Sequence, residues 1–145
     1  MPRVITFGTF DLLHVGHVNI LARARQFGGH LTVGVSSDEL NFRKKQQYPT
    51  YPTEQRVAIV QAVRWVDEVF VEHSLEAKRD YILAHQADVL VMGDDWAGRF
   101  DEFSDVCRVV YLSRTDGISS THVKAHIRGA LGTSIGALPR LRQVA

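Results

Sequence analysis

Arg3-Val4-Ile5-Thr6-Phe7-Gly8-Thr9-Phe10-Asp11-Leu12-Leu13-His14-Val15-Gly16-His17 is the stretch on which the reading of the fold turns. Arg3 to Phe7 reads as a strand that ends at Gly8. A short loop follows. Val15 to Phe27 then has helical periodicity, with Val18, Leu21 and Ala22 on one side and Arg23, Arg25 and Gln26 on the other. Gly28-Gly29 stops that helix, as glycine at a helix C-terminus commonly does. His14 and His17 lie three apart where the helix opens, so they are neighbours on one turn. A helix N-terminus presents unpaired N–H groups and partial positive charge, which attract phosphate. Gly16 leaves the backbone open to a bulky anion, and two imidazoles there can hydrogen-bond a phosphate and stabilise charge growing on it. Alone, the pair reads equally well as solvent-facing or capping histidines; with Gly8, Asp11 and Gly16 after a strand it reads as a phosphate site. Zinc is the weaker reading, since the pair offers two ligands and no cysteine cluster completes a set.

The same rhythm continues along the chain. Leu31 to Val35, Glu68 to Val71, Val89 to Met92 and Arg108 to Leu112 read as strands. Glu54 to Val63, Leu75 to His85 and Ser119 to Arg128 read as helices. Asn41 to Thr53, with three basic residues, two prolines and two tyrosines, reads as a long mobile loop. About five strands with intervening helices imply a Rossmann-like open parallel α/β sheet with helices on both faces and right-handed crossovers. Residues 1–130 form one domain on this reading and 131–145 a loosely ordered tail, since the stretch from Gly129 to Ala145 holds three glycines and Pro139. Ligands of such sheets bind past the carboxyl ends of the strands. That rule singles out Gly8 to Asp11, Gly93-Asp94-Asp95-Trp96 and Arg114 to Thr121.

Composition narrows the classes. The chain has 145 residues, 45% hydrophobic and 23% charged, which suits one soluble globular domain. Seventeen Lys+Arg against sixteen Asp+Glu leave a net charge of +1, which speaks against a chain that coats nucleic acid or an anionic membrane. No apolar run approaches the ~20 residues of a membrane span. Met1-Pro2-Arg3 has no signal-peptide layout, and the lone Cys107 suits a reducing cytoplasm. His122 and His126 share a helix face, yet no third ligand is evident, so no protein-only metal site is expected.

Residues 8–17 match the G-x-F-D-x-x-H-x-G-H signature and resemble the nucleotidyltransferase superfamily that includes the cytidylyltransferases. Arg114-Thr115-Asp116-Gly117-Ile118-Ser119-Ser120-Thr121 is similar to that family's R-T-E-G-I-S-T-T segment. Gly117 allows a turn there, and the Ser119, Ser120 and Thr121 hydroxyls suit β- and γ-phosphates at a helix start. Arg114 adds a planar charged fork. By itself the segment would read as an ordinary Ser/Thr N-cap. Val91-Met92-Gly93-Asp94-Asp95-Trp96 resembles the M-G-D-D-W of the bacterial members that act on glycerol 3-phosphate, and the similarity runs from Val4 to about Lys124. Asp95 is of a type that accepts a hydrogen bond from the exocyclic amine of cytosine.

The resemblance implies that a phosphomonoester attacks the α-phosphorus of CTP, pyrophosphate leaves, and Mg2+ bridges phosphate oxygens. It implies catalytic roles for His14, His17, Lys44 and Arg114. Nucleotide contacts fall on Gly8, Thr9, Phe10, Asp11, Gly16, Asp94, Asp95, Arg114, Thr115, Gly117, Ile118, Ser119, Ser120 and Thr121. Acceptor contacts fall on Lys44, Lys45, Arg64 and Lys78, while Arg56 reads as either an acceptor-side residue or a surface charge. The implied acceptor is a small phosphorylated polyol, glycerol 3-phosphate first, and the implied assembly a homodimer. Another phospho-alcohol, ATP as donor, or a non-catalytic nucleotide-binding module are the alternatives. Two departures lie on the acceptor side: Lys44-Lys45-Gln46-Gln47 lacks the family's second lysine spacing in a loop one residue longer, and Leu75 stands near a family tryptophan.

Overall fold

The computed structural model describes residues 1–129. The strands β1 (Arg3–Gly8), β2 (His30–Ser36), β3 (Glu68–Glu72), β4 (Val89–Gly93) and β5 (Arg108–Leu112) form one sheet in the order β3-β2-β1-β4-β5. Every pairing is parallel, and β1 lies against β2 from Arg3 opposite His30 to Gly8 opposite Val35. Both faces are covered. Val4, Leu31, Val33, Val35, Val89 and Val91 meet Leu21 and Ala24 of α1 (Val15–Arg25) and Val60 of α3 (Thr53–Gln61) on one side. Ile5, Phe7, Leu90 and Met92 meet Ile82 of α4 (Lys78–Ala84), Phe103 and Cys107 on the other. Burial on both faces is why these parallel strands are near-continuous apolar runs. The fold is thus the Rossmann-like α/β sheet expected.

The segment expected to be a loop from Asn41 onward is a helix in its first part, α2 (Asp38–Lys45). Its cause is capping and charge rather than an apolar stripe. The Ser37 hydroxyl accepts the Leu40 N–H at 3.1 Å. Asp38 and Glu39 occupy the first turn and Arg43, Lys44 and Lys45 the last, each sign matched to the helix dipole. Gln46, at φ 57°, ends it. The expected helices are shorter or shifted: α1 ends at Arg25, α3 spans Thr53–Gln61, α4 spans Lys78–Ala84 and α5 spans Ser120–Gly129. The tail at 131–145 lies outside the described residues.

The chain leaves β1 for one face of the sheet and leaves β4 by a short 3-10 turn, Asp94–Trp96, towards the other. A crevice therefore opens past the carboxyl ends of β1 and β4, where the strand order reverses.

Candidate active site

A cavity of about 670 Å³ occupies that crevice. The loop between β1 and α1 forms its floor. Phe10 and Leu12 hold left-handed backbone at φ 53° and 48°, a strain of about 1–3 kcal/mol each that surrounding contacts must offset. Asp11 supplies much of that support. Its buried carboxylate accepts the Thr50 N–H at 2.7 Å and the Tyr51 N–H at 3.0 Å, and it faces Lys124 of α5 at 3.4 Å. Burial works against that charge, but the two backbone bonds and Lys124 outweigh it and hold the Asp11 carboxyl below its ordinary pKa. Ser120 donates to the Asp11 carbonyl at 2.6 Å. One aspartate thus ties the signature loop to the segment after α2 and to α5.

His14 is the N-cap of α1, and its Nδ1 accepts the Gly16 N–H at 3.0 Å. The Nδ1 of His17 accepts the His14 N–H at 3.1 Å, so the two residues form a reciprocal capping box. The rings stack with centroids 3.9 Å apart. A Cβ on Gly16 would sit 2.8 Å from the His14 ring, so the space that glycine leaves is taken by His14 rather than kept open for an anion. The capping bonds decide the chemistry. An Nδ1 that accepts a backbone N–H cannot carry the proton, so each neutral ring carries it on Nε2. Burial, with the neighbouring Arg114 charge, lowers the His14 pKa. Burial and His14, opposed by Asp11, lower that of His17 to about 4. At neutral pH both rings are uncharged donors, and neither is available to take a proton at Nε2.

Gly8, Thr9, Phe10, Asp11, His14, Gly16 and His17 line the cavity together with Asp95, Arg114 and Thr115. Ile118, Ser119, Ser120 and Thr121 complete that wall, beyond the turn that Gly117 makes at φ 81°. Lys44, Lys45 and Lys78 line the cavity as well. Asp94, Gly117 and Arg64 do not reach the cavity; Arg64 is exposed, with its guanidinium 5.3 Å from the Trp65 ring centroid. Arg114 faces Asp95 at 3.3 Å. Arg56 is neither of the things its sequence context suggested. It is wholly buried and bonds Thr9 O, Ser36 O, Tyr51 O and the Asp38 carboxylate.

Several cavity residues carry no motif. Asn41 accepts from the Thr9 hydroxyl at 2.7 Å, and Glu72 lies at the end of β3. Arg23 is held by Ser113 O at 2.7 Å, and Arg99 packs over Trp96. Lys124 had a usable signal, being one helical turn past Ser120. Arg23, Lys44, Lys45, Lys78, Arg99, Arg114 and Lys124 surround the space against Asp11, Glu72 and Asp95, an excess of positive charge suited to polyphosphate. Among the described residues no group of three or more His, Cys, Asp or Glu side chains could hold a metal ion, and no helix is long and apolar enough to cross a membrane.

A parallel sheet of this order, with a cation-lined crevice at its switch point, is the Rossmann-like α/β fold of the nucleotidylyltransferases. The chain belongs to the cytidylyltransferase-like family, whose model matches residues 5–126. It is 52% identical over 130 residues to a glycerol-3-phosphate cytidylyltransferase of Bacillus subtilis (strain 168), covering 89% of this chain and 99% of that one. The same-named protein of Staphylococcus aureus (strain NCTC 8325 / PS 47) is 46% identical, covering 89% and 97%. The solved lipopolysaccharide core biosynthesis protein of Thermoplasma volcanium GSS1 shares the fold at a TM-score of 0.68 and 23% identity, over 80% of this chain and 99% of that one.

Proposed function

We propose that the protein transfers CMP from CTP to glycerol 3-phosphate, giving CDP-glycerol and pyrophosphate. Near-full-length identity to two proteins of that activity supports the substrates. The observation that carries the chemistry is the capping box, which leaves two imidazole Nε2–H groups as fixed donors in a cationic crevice. An oxygen of the acceptor phosphate attacks the α-phosphorus, the bond to pyrophosphate breaks, and His14 and His17 stabilise the charge on the pentavalent phosphorus. A phosphomonoester dianion needs no general base, which agrees with rings whose Nε2 is already protonated. Arg114 and the hydroxyls of Ser119 and Thr121 hold the triphosphate, and the Thr9 and Ser120 hydroxyls join them by turning their protons away from Asn41 and the Asp11 carbonyl. Lys44, Lys45 and Lys78 hold the acceptor phosphate.

Each carboxylate of the cavity is already engaged: Asp11 by backbone and Lys124, Asp95 by Arg114, Glu72 by Lys78. That donor set fits Mg2+ carried on the phosphates, where it supplies charge neutralisation. The reading places the enzyme in the cytoplasm and, by family resemblance, in a homodimer, which light scattering tests.

The direct test is pyrophosphate release with Mg2+, crossing CTP and ATP against phosphorylated alcohols. Release with CTP and glycerol 3-phosphate, and not with ATP, is expected. Release with CTP only on another acceptor keeps the chemistry and moves the substrate. CTP binding with no turnover on any acceptor would overturn the assignment.

A further inference from the structure

The proposed reaction leaves one buried charge of the cavity without a task. Glu72 ends β3, 1% exposed, where the sheet's crevice begins. Its Oε2 accepts from Lys78 Nζ at 2.8 Å. Its Oε1 accepts from the Ser36 hydroxyl at 3.4 Å, and the Ser36 oxygen accepts from Lys44 Nζ at 3.1 Å. One carboxylate at a strand end is therefore joined to two ammonium groups carried by two different helices, α2 and α4.

The surroundings make that carboxylate necessary. Lys78 is 3% exposed, its Nζ 3.8 Å from the Phe7 ring centroid and 5.2 Å from that of Phe100. Rings attract a cation, but they do not replace the water it has lost. The other charges facing the cluster are positive: Lys45 beside Lys44 on α2, and Arg56 of α3, which bonds Ser36 O at 2.7 Å. Arg56 already has Asp38 as its partner. Burial pushes both lysines below their ordinary pKa, and Glu72 is the charge that opposes this in each.

We propose that Glu72 is a positioning residue of the acceptor site, keeping Lys44 and Lys78 charged and aimed so that a phosphomonoester dianion meets two fixed ammonium donors. It acts through the lysines and does not touch the reacting atoms. This rests on the reading that these lysines take the acceptor phosphate.

The test compares wild type with Glu72→Gln, Glu72→Asp and Ser36→Ala across pH, with both substrates varied. Glu72→Gln is expected to raise the acceptor KM about tenfold while the CTP KM stays within about twofold. The alkaline limb of kcat/KM for the acceptor moves down by about one pH unit, because an ammonium without its counter-charge releases its proton sooner. Glu72→Asp restores part of both effects. Ser36→Ala, which cuts only the link to Lys44, gives a smaller rise of about threefold. An unmoved limb, or the two KM values rising together, overturns the proposal. If Glu72→Gln does not fold, an unchanged acceptor KM and limb in the other two variants overturns it equally. Failure of the functional reading looks different, since wild type would then turn over no phosphomonoester. In that case titration with inorganic phosphate at pH 8–9 decides, with weaker binding to Glu72→Gln expected and equal binding overturning the role.

Discussion

Replacing Arg56 with alanine removes five hydrogen bonds from four segments that frame the cavity. Its Nε donates to Tyr51 O at 2.9 Å, and its Nη1 to Thr9 O at 2.8 Å and Ser36 O at 2.7 Å. Its Nη2 donates to the Asp38 carboxylate at 2.8 Å and to the Thr53 hydroxyl at 3.3 Å. The side chain is wholly buried, so the truncation leaves three carbonyl oxygens and a carboxylate facing an empty space. A buried acceptor left without a donor costs about 1–3 kcal/mol. Breaking a buried ion pair costs about 3–5 kcal/mol. Asp38 keeps 27% of its side chain in water, which puts the pair at the lower end. Water entering the vacated space recovers part of the carbonyl loss. The net is about 4–6 kcal/mol, against a total stability of about 5–15 kcal/mol. At about 2–4 °C per kcal/mol the midpoint falls by roughly 10–20 °C. Arg56→Lys keeps the charge but not the planar fork; three donors on one nitrogen cannot span these acceptors, and about 2–3 kcal/mol is lost. Urea unfolding followed by circular dichroism measures both, with the slope m expected unchanged. Arg56→Ala within about 1 kcal/mol of wild type would refute the reasoning, since that is the ordinary effect of an arbitrary substitution. Because Thr9 and Ser36 lead directly to cavity contacts, folded Arg56→Lys should also turn over more slowly than wild type.

Two further predictions concern the signature loop. The His17 pKa is about 4 in the folded chain against 6.5 for an ordinary imidazole, so the unfolded state binds the extra proton between those values. Its stabilisation is complete above about pH 6.5 and is lost as pH falls towards 4, by at most about 3 kcal/mol. His17→Asn, whose Oδ1 can replace the Nδ1 acceptor, should flatten that slope in urea midpoints while slowing turnover by about 10²–10³; an unchanged slope would sink the assignment. Asp11→Asn removes the charge facing Lys124 and one of two backbone acceptor positions, and should weaken CTP binding about tenfold, or ~1.4 kcal/mol, by calorimetry. Unaltered CTP affinity would show that the tie between the loop and α5 does not shape the nucleotide site.

The strands were legible to within a residue or two because a parallel sheet buried on both faces has to be written in uninterrupted apolar runs. α2 was not, because its apolar residues, Leu40 and Phe42, make no stripe. Its signals are a serine cap, two leading acids and three trailing bases, each weak and convincing only together. The contiguous part of the site was readable only in combination: the histidine pair of residues 8–17 and the Ser/Thr run of 114–121 each pass for ordinary helix caps alone, and only side by side, with the family resemblance, do they read as a phosphate site. What stayed hidden is whatever the topology assembles from distant parts of the chain. Arg56 has the sequence context of an exposed helical arginine, and its partners are backbone carbonyls, which have no residue code. Glu72 makes the case most plainly. The strand Glu68-Val69-Phe70-Val71-Glu72 begins and ends on the same residue type, four positions apart and so on the same face of the sheet. Nothing local distinguishes the two glutamates. Glu68 lies at the amino end of the strand with its side chain 42% exposed, near Arg3, His30 and His85. Glu72 lies at the carboxyl end, where open α/β sheets bind their ligands, sealed beneath Lys78. The sheet and the helices packed on it turn one carboxylate into a surface charge and the other into the buried partner of a cavity lysine.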